Sequence, residues 1–167
     1  FPVFLWMAFL GSPAERTLGD TIRVLYLHVG SAWVAAVAFL ITGVLALLHL
    51  IRGTRRWFDR AFLCAALGML FIVIATLTGA VWAKAAWGAY WSWDVRQTSV
   101  LFLLLSYAAY LMLASGARGT VRAERTASAY LLAVTFCMPF FIFIAPRLAT
   151  TLHPDLTGGA PRAGLAM

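Results

Sequence analysis

The chain has 167 residues, of which 63% are hydrophobic and only 11% charged, with a formal net charge of +7. Soluble domains carry roughly 25% charged residues, so a water-soluble globule is excluded. The pI near 10.3 does not make nucleic acid a partner, because the basic residues are scattered over short connections rather than gathered on one face; they read as topology signals and contacts to anionic lipid.

Apolar runs of about twenty residues, long enough to cross a bilayer, recur along the chain. A spanning segment must satisfy its backbone polar groups within itself, and the alternating pattern of an outer-membrane barrel is absent from the sequence. The predicted fold class is therefore all-α, a polytopic transmembrane helix bundle, read as one domain over residues 1–167.

In chain order, residues 1–10 are apolar but too short to span and read as the outer half of a first helix whose start lies outside the chain. No basic region and cleavage site mark a signal peptide. Gly11-Ser12-Pro13 ends this run, and residues 14–23 form a short polar loop. Residues 24–51 are the second span, with His28 near one end and His49 near the other. A basic loop with Arg52, Arg55, Arg56 and Arg60 precedes the third span, residues 61–83, in which Thr76, Thr78 and Gly79 are candidates for close helix packing. After a tryptophan-rich loop, at about residues 84–98, come the fourth span (99–115) and a loop carrying Arg118, Arg122 and Arg125. The fifth span covers residues 127–145, where Pro139 should kink the helix, and Pro146-Arg147 should end it. His153-Pro154 sits in the tail, and no sixth span follows. Cys64 and Cys137 lie inside apolar runs without metal or haem-attachment spacing and read as small buried hydrophobes.

The tryptophan-rich loop concentrates Trp87, Tyr90, Trp91 and Trp93 beside Asp94 and Arg96. Flat aromatic surface next to a few charges suits a large, flat, amphipathic ligand, although Trp and Tyr are also the residues of an interfacial belt. Charge bias separates the two ends of the bundle. Loops 52–60 and 116–126 carry four and three Lys/Arg, against two in each other connection. More basic loops stay cytoplasmic, which places His28, the tryptophan-rich loop and His153 together on the outer face and His49 on the inner one. Imidazole is a common axial ligand of haem iron, indoles can stack on porphyrin, and a guanidinium suits propionates. Arg96 is the first propionate candidate, with Lys84 and Arg147 weaker ones. Asp94 should pair with Arg96, or accept a hydrogen bond from a histidine or a backbone group and so orient a ligand. A metal ion without porphyrin fits less well, since no second ligand stands at i+3 or i+4 from either outer histidine.

The run Trp87-Gly88-x-x-Trp91-x-Trp93-Asp94 resembles the "WWD" signature of membrane haem-handling proteins. Its continuation Val95-Arg96-Gln97-Thr98-Ser99 resembles the heme exporter protein C branch of cytochrome c maturation. Tyr26-Leu27-His28-Val29 with Trp33, and Leu152-His153-Pro154, are similar to that branch's two histidine segments. The resemblance implies a six-helix family, of which about five spans are covered here, the first partly. It implies a bacterial cytoplasmic-membrane protein whose WWD loop and ligand histidines face the periplasm. His28 and His153 would be axial ligands of a b-type, non-covalently and transiently bound haem, with Trp87, Trp91, Trp93 and Asp94 as the platform and Arg96 as a motif residue. The implied partners are a periplasmic haem chaperone, an ATP-binding cassette (ABC-type) ATPase and a second membrane subunit. The implied role is delivery, without enzymatic chemistry. Two alternatives remain open at this point. One is a haem lyase of the cytochrome c synthetase type, against which the Arg-x-Thr-Ser continuation counts. The other is a permease subunit with a merely interfacial aromatic belt, against which the lack of charged residues at span centres counts.

Overall fold

The computed structural model describes residues 19–148, 151 and 152, with positions 3, 6, 7 and 11. Its elements in chain order are α1 (Ile22–Arg52), α2 (Arg55–Trp87), α3 (Val95–Ala117), α4 (Val121–Pro139), a π-helical turn (Phe140–Ile144) and α5 (Ala145–Leu148). Four helical stretches among the described residues are long and apolar enough to cross a membrane, of 31, 33, 23 and 28 residues, the last running from Val121 to Leu148. The all-α transmembrane reading holds. The first partial span falls largely outside the described residues.

The helices extend further than the hydrophobic runs. Residues 55–60, expected as loop, form the first turns of α2, and the connection to α1 shrinks to Gly53-Thr54. Arginine is a good helix former, so the helix continues through the charged residues beyond the apolar run. Glycine stops them: Gly53 (φ 65) and Gly88 (φ 82) take left-handed backbone, and their N–H groups donate to His49 O at 2.8 Å and Lys84 O at 3.1 Å. The fourth span begins at Val95 rather than residue 99, so Arg96 lies in its first turn. Pro139 ends regular α geometry and a π turn follows, as its missing N–H requires a local rearrangement. The helix nevertheless continues past Pro146 to Leu148. Pro146 is the second residue of α5, where a missing N–H breaks no α-helical bond of that segment.

Packing rests on small residues. α1 buries Ser31, Ala35, Ala38, Thr42 and Ala46, and α2 buries Ala61, Ala65, Gly68, Ile72 and Ala75. These steps of three and four place one narrow stripe on each helix, and small side chains let the backbones approach where lipid offers no hydrophobic drive. Phe39 fills the seam. Its ring stacks on Tyr107 with centroids 3.6 Å apart, and it lies so close to Gly68 that a Cβ there would stand 2.5 Å from Phe39 Cε1. α4 closes against α1, where Thr135 occupies the space over Gly43 and bonds the Tyr107 hydroxyl at 3.1 Å. The outward faces carry Leu40, Val44, Leu63, Leu70 and Leu77, all exposed, as hydrocarbon contact requires.

Gly68→Ala should displace Phe39 and destabilise the bundle by about 1–3 kcal/mol, the usual range for overpacking. Gly30→Ala, where an added Cβ meets nothing within 4 Å, should be neutral or mildly stabilising. Thermal melting in detergent compares them, and equal melting temperatures would remove the seam from the account of stability.

Candidate functional site

The tryptophan-rich connection is shorter than expected. Trp87 is the last residue of α2, the loop proper is residues 88–94, and Arg96 belongs to α3. Trp87 is half-buried and meets Trp82 edge to face at 5.1 Å, while Trp91 and Trp93 meet at 5.8 Å with planes 87° apart. Trp93 has φ 57, the one non-glycine residue with positive φ among the described residues, and its side chain is 70% exposed. A bulky residue in this region is strained by roughly 1–3 kcal/mol. Its neighbours hold it there: Thr98 Oγ1 donates to Trp93 O at 3.2 Å, and Asp94 immediately caps α3.

Asp94 is 7% exposed and does more than cap. Its Oδ1 accepts the Arg96 N–H at 2.9 Å, the usual N-cap bond to the second helical residue. The same oxygen accepts from Thr151 Oγ1 at 3.1 Å, and Oδ2 accepts the Leu152 N–H at 2.7 Å. One buried carboxylate thus joins the start of α3 to the chain immediately before His153. His153 itself lies outside the described residues. The expectation that Asp94 accepts from a backbone group holds, with two such donors.

His28 comes to the same end of the bundle. It stands in α1, six residues from Ile22, and packs across the seam onto α2. Its Nδ1 lies 2.7 Å from Ala75 O. A carbonyl oxygen can only accept, so Nδ1 carries a proton, and in the neutral ring Nε2 then keeps a lone pair that can act as a ligand. Gly79 makes the room: a Cβ there would stand 2.7 Å from both His28 Cε1 and Nδ1. Gly79 is eight residues before Trp87 in α2, about 12 Å along the helix. Close packing at Gly79 was legible in the sequence; its partner was not. His49 is at the opposite end, 2% exposed, with Nδ1 2.7 Å from Ser128 Oγ and its ring 5.4 Å from Phe58. It has the contacts of a packing residue.

The cationic candidates separate. Lys84 Nζ donates to Gly88 O at 2.7 Å and so completes the end of α2, and Arg147 donates to Phe143 O of the preceding π-helical turn at 2.7 Å. Arg96 Nε is buried and has no hydrogen-bond acceptor among the described residues, as is also true of Trp91 Nε1. A buried guanidinium nitrogen without an acceptor is costly, and a carboxylate would satisfy it. No group of three His, Cys, Asp or Glu side chains arranged for a bare metal ion occurs among the described residues.

With this geometry in view, the comparisons with known proteins agree among themselves. The family model of Heme exporter protein C matches residues 1–157. Heme exporter protein C of Rhodobacter capsulatus is 37% identical over 112 residues, covering 67% of this chain and 46% of its own. That of Bradyrhizobium diazoefficiens is 34% identical over 137 residues, covering 79% and 50%. A Marchantia polymorpha mitochondrial protein named for cytochrome c biosynthesis is 32% identical over 105 residues, covering 62% and 43%. The chain thus spans about half the length of the curated relatives it matches. With the family matched over nearly the whole sequence, the protein belongs to the Heme exporter protein C family.

Proposed function

We propose that the protein binds b-type haem, non-covalently and in transit, at the bundle end formed by His28, the tryptophan-rich loop and the segment entering His153. It then delivers that haem for cytochrome c maturation. The observation that carries this reading is Asp94: its carboxylate ties the residue before His153 to the end of the tryptophan-rich loop, where α3 begins. Haem is the cargo here, and the residues present fit it. His28 offers Nε2 with its tautomer set by Ala75 O, the arrangement by which outer contacts orient ligand imidazoles. His153 supplies the second axial ligand. Trp87, Trp91 and the exposed Trp93 provide apolar faces, and the Arg96 guanidinium, whose buried Nε has no acceptor among the described residues, donates to a propionate.

In this reading the protein performs no bond-making step on a polypeptide. Its residues hold and orient haem, and release requires only that one neutral imidazole be exchanged for a recipient's ligand. The proposed recipient is a periplasmic haem chaperone, and the proposed neighbours are an ABC-type ATPase and a second membrane subunit of the bacterial cytoplasmic membrane. The loop end faces the periplasm, because the opposite end carries Arg52, Arg55, Arg56 and Arg60 with Arg118, Arg122 and Arg125. The names of the bacterial relatives as heme exporters and of the plant relative in cytochrome c biosynthesis support the direction of this reading.

Absorption spectra in detergent, with added hemin, test it. The wild type should give a low-spin bis-imidazole spectrum that changes in both His28→Ala and His153→Ala. His49→Ala should keep the spectrum but lose stability, on the order of 2 kcal/mol, through the cavity it opens. Equal haem retention in all three variants would remove the ligand assignment. Gly79→Ala should drive the His28 ring from its place, so its spectrum should match that of His28→Ala while the bundle stays folded; an unaltered spectrum would sink the packing argument. Asp94→Ala should lose the helix cap, about 1 kcal/mol, and weaken haem retention. Asp94→Asn, still a good cap, should be milder in both, and a spectrum indifferent to either change would dissociate Asp94 from the site.

A further inference from the structure

At the end of the bundle away from the tryptophan-rich loop, three arginines surround one indole. Arg52 closes α1, and Arg56 and Arg60 stand one turn apart at the start of α2. Their guanidinium carbons lie 5.7, 5.3 and 5.2 Å from the centroid of the Trp57 ring. The three side chains are exposed and Trp57 is half-buried. Cation–π attraction gathers them, yet three like charges at one ring repel each other and call for an anion.

The carboxylates at this end are engaged on another side of the helix. Arg55 bridges Asp59 at 3.7 Å and the buried Glu124 at 3.4 Å, and Glu124 also accepts the Gly119 N–H at 3.1 Å. Residues 55 and 59 share one face of α2, while 56 and 60 lie about 100° further round. Among the described residues no carboxylate stands within 4.0 Å of Arg52, Arg56 or Arg60. Charge is thus sorted: an ion-paired cluster of Arg55, Asp59 and Glu124 toward α4, and a basic cluster of Arg52, Arg56 and Arg60 with no ion pair among the described residues. The first turn of α2 adds the positive end of its dipole, with no side-chain cap from Thr54. On either side of the cluster, Ile51 and Leu63 are 71% and 66% exposed and belong to the lipid-facing surface.

We propose that Arg52, Arg56, Arg60 and Trp57 form a binding site for the phosphate headgroup of an anionic phospholipid. The planar guanidinium forks match phosphate oxygens. The indole sits at headgroup depth, where amphipathic rings are favoured. Ile51 and Leu63 receive the upper acyl chains. This site is independent of the haem reading.

The test reconstitutes the protein in mixed phosphatidylcholine–phosphatidylglycerol vesicles, extracts it in neutral detergent and counts retained lipid by native mass spectrometry. The wild type should hold phosphatidylglycerol several-fold above its bulk share. Arg52→Gln/Arg56→Gln/Arg60→Gln should return to the bulk ratio. Arg118→Gln/Arg122→Gln/Arg125→Gln, with the same charge change at the same end, should keep the enrichment. If the first triple variant does not fold, Arg60→Gln alone, which is exposed and makes no ion pair among the described residues, should show a partial loss. Equal loss in both triple variants would reduce the effect to general surface charge and overturn the site. Displacement of the lipid by inorganic phosphate would overturn it in favour of a free anion, and no enrichment in the wild type would overturn it outright.

Discussion

A backbone N–H or carbonyl in hydrocarbon has no water to turn to, and this constraint orders the whole molecule. It forces the helices, and it confines irregular backbone to the two ends. It also explains where side-chain polarity survives within the spans. Thr42, Thr76 and Thr78 return their hydroxyls to carbonyls of the preceding turn at 2.7 Å each. Tyr107 meets Thr135, and His49 meets Ser128. His28 follows the same rule by donating from Nδ1 to Ala75 O, and its Nε2 makes no hydrogen bond among the described residues. In the proposed site, that nitrogen is the one the iron would use.

The seam between α1 and α2 turns this constraint into a position for His28. Gly68 lets Phe39 lie flat against α2, and Gly79, eleven residues on along the same helix, lets His28 do so. The ring that fills the core and the ring proposed as a ligand are thus admitted by the same device. Small residues bring the backbones near enough that a side chain from one helix reaches the carbonyls of the other. At the loop end, the carboxylate of Asp94 extends the order where helix geometry stops.

Much of this was legible in the sequence because hydrophobic run length and residue type carry it. The helices, their sequence order and the placement of His28 and His49 at opposite ends follow from where apolar runs begin and end. The helix limits did not follow, since arginines such as Arg55, Arg56 and Arg60 lower hydropathy without breaking a helix, and only Gly53 and Gly88 mark the stops. Pairings between distant residues were not legible either. Nothing in the spacing of Asp94 and Leu152 announces a bond across 58 positions. Lys84 and Arg147 ranked below Arg96 as propionate candidates, but the sequence did not show why: each lies four residues from a carbonyl that it reaches, Gly88 O and Phe143 O. Arg96 follows the cap of a new helix and finds no such acceptor for its Nε among the described residues.

The attachment at Asp94 makes the two sides of the proposed haem site mechanically unequal. His28 is part of a 31-residue helix and is packed against another, so moving it means parting two spans. The segment at Thr151 and Leu152 is fastened to the loop through hydrogen bonds to a carboxylate. Such bonds, at an element's end, can open locally while the rest of the fold stays intact. In the proposed site His28 is then a fixed post, and the segment at Thr151 and Leu152 a latch. In that proposal, handover would proceed by lifting the latch, with an energy scale of a few hydrogen bonds rather than of a membrane bundle.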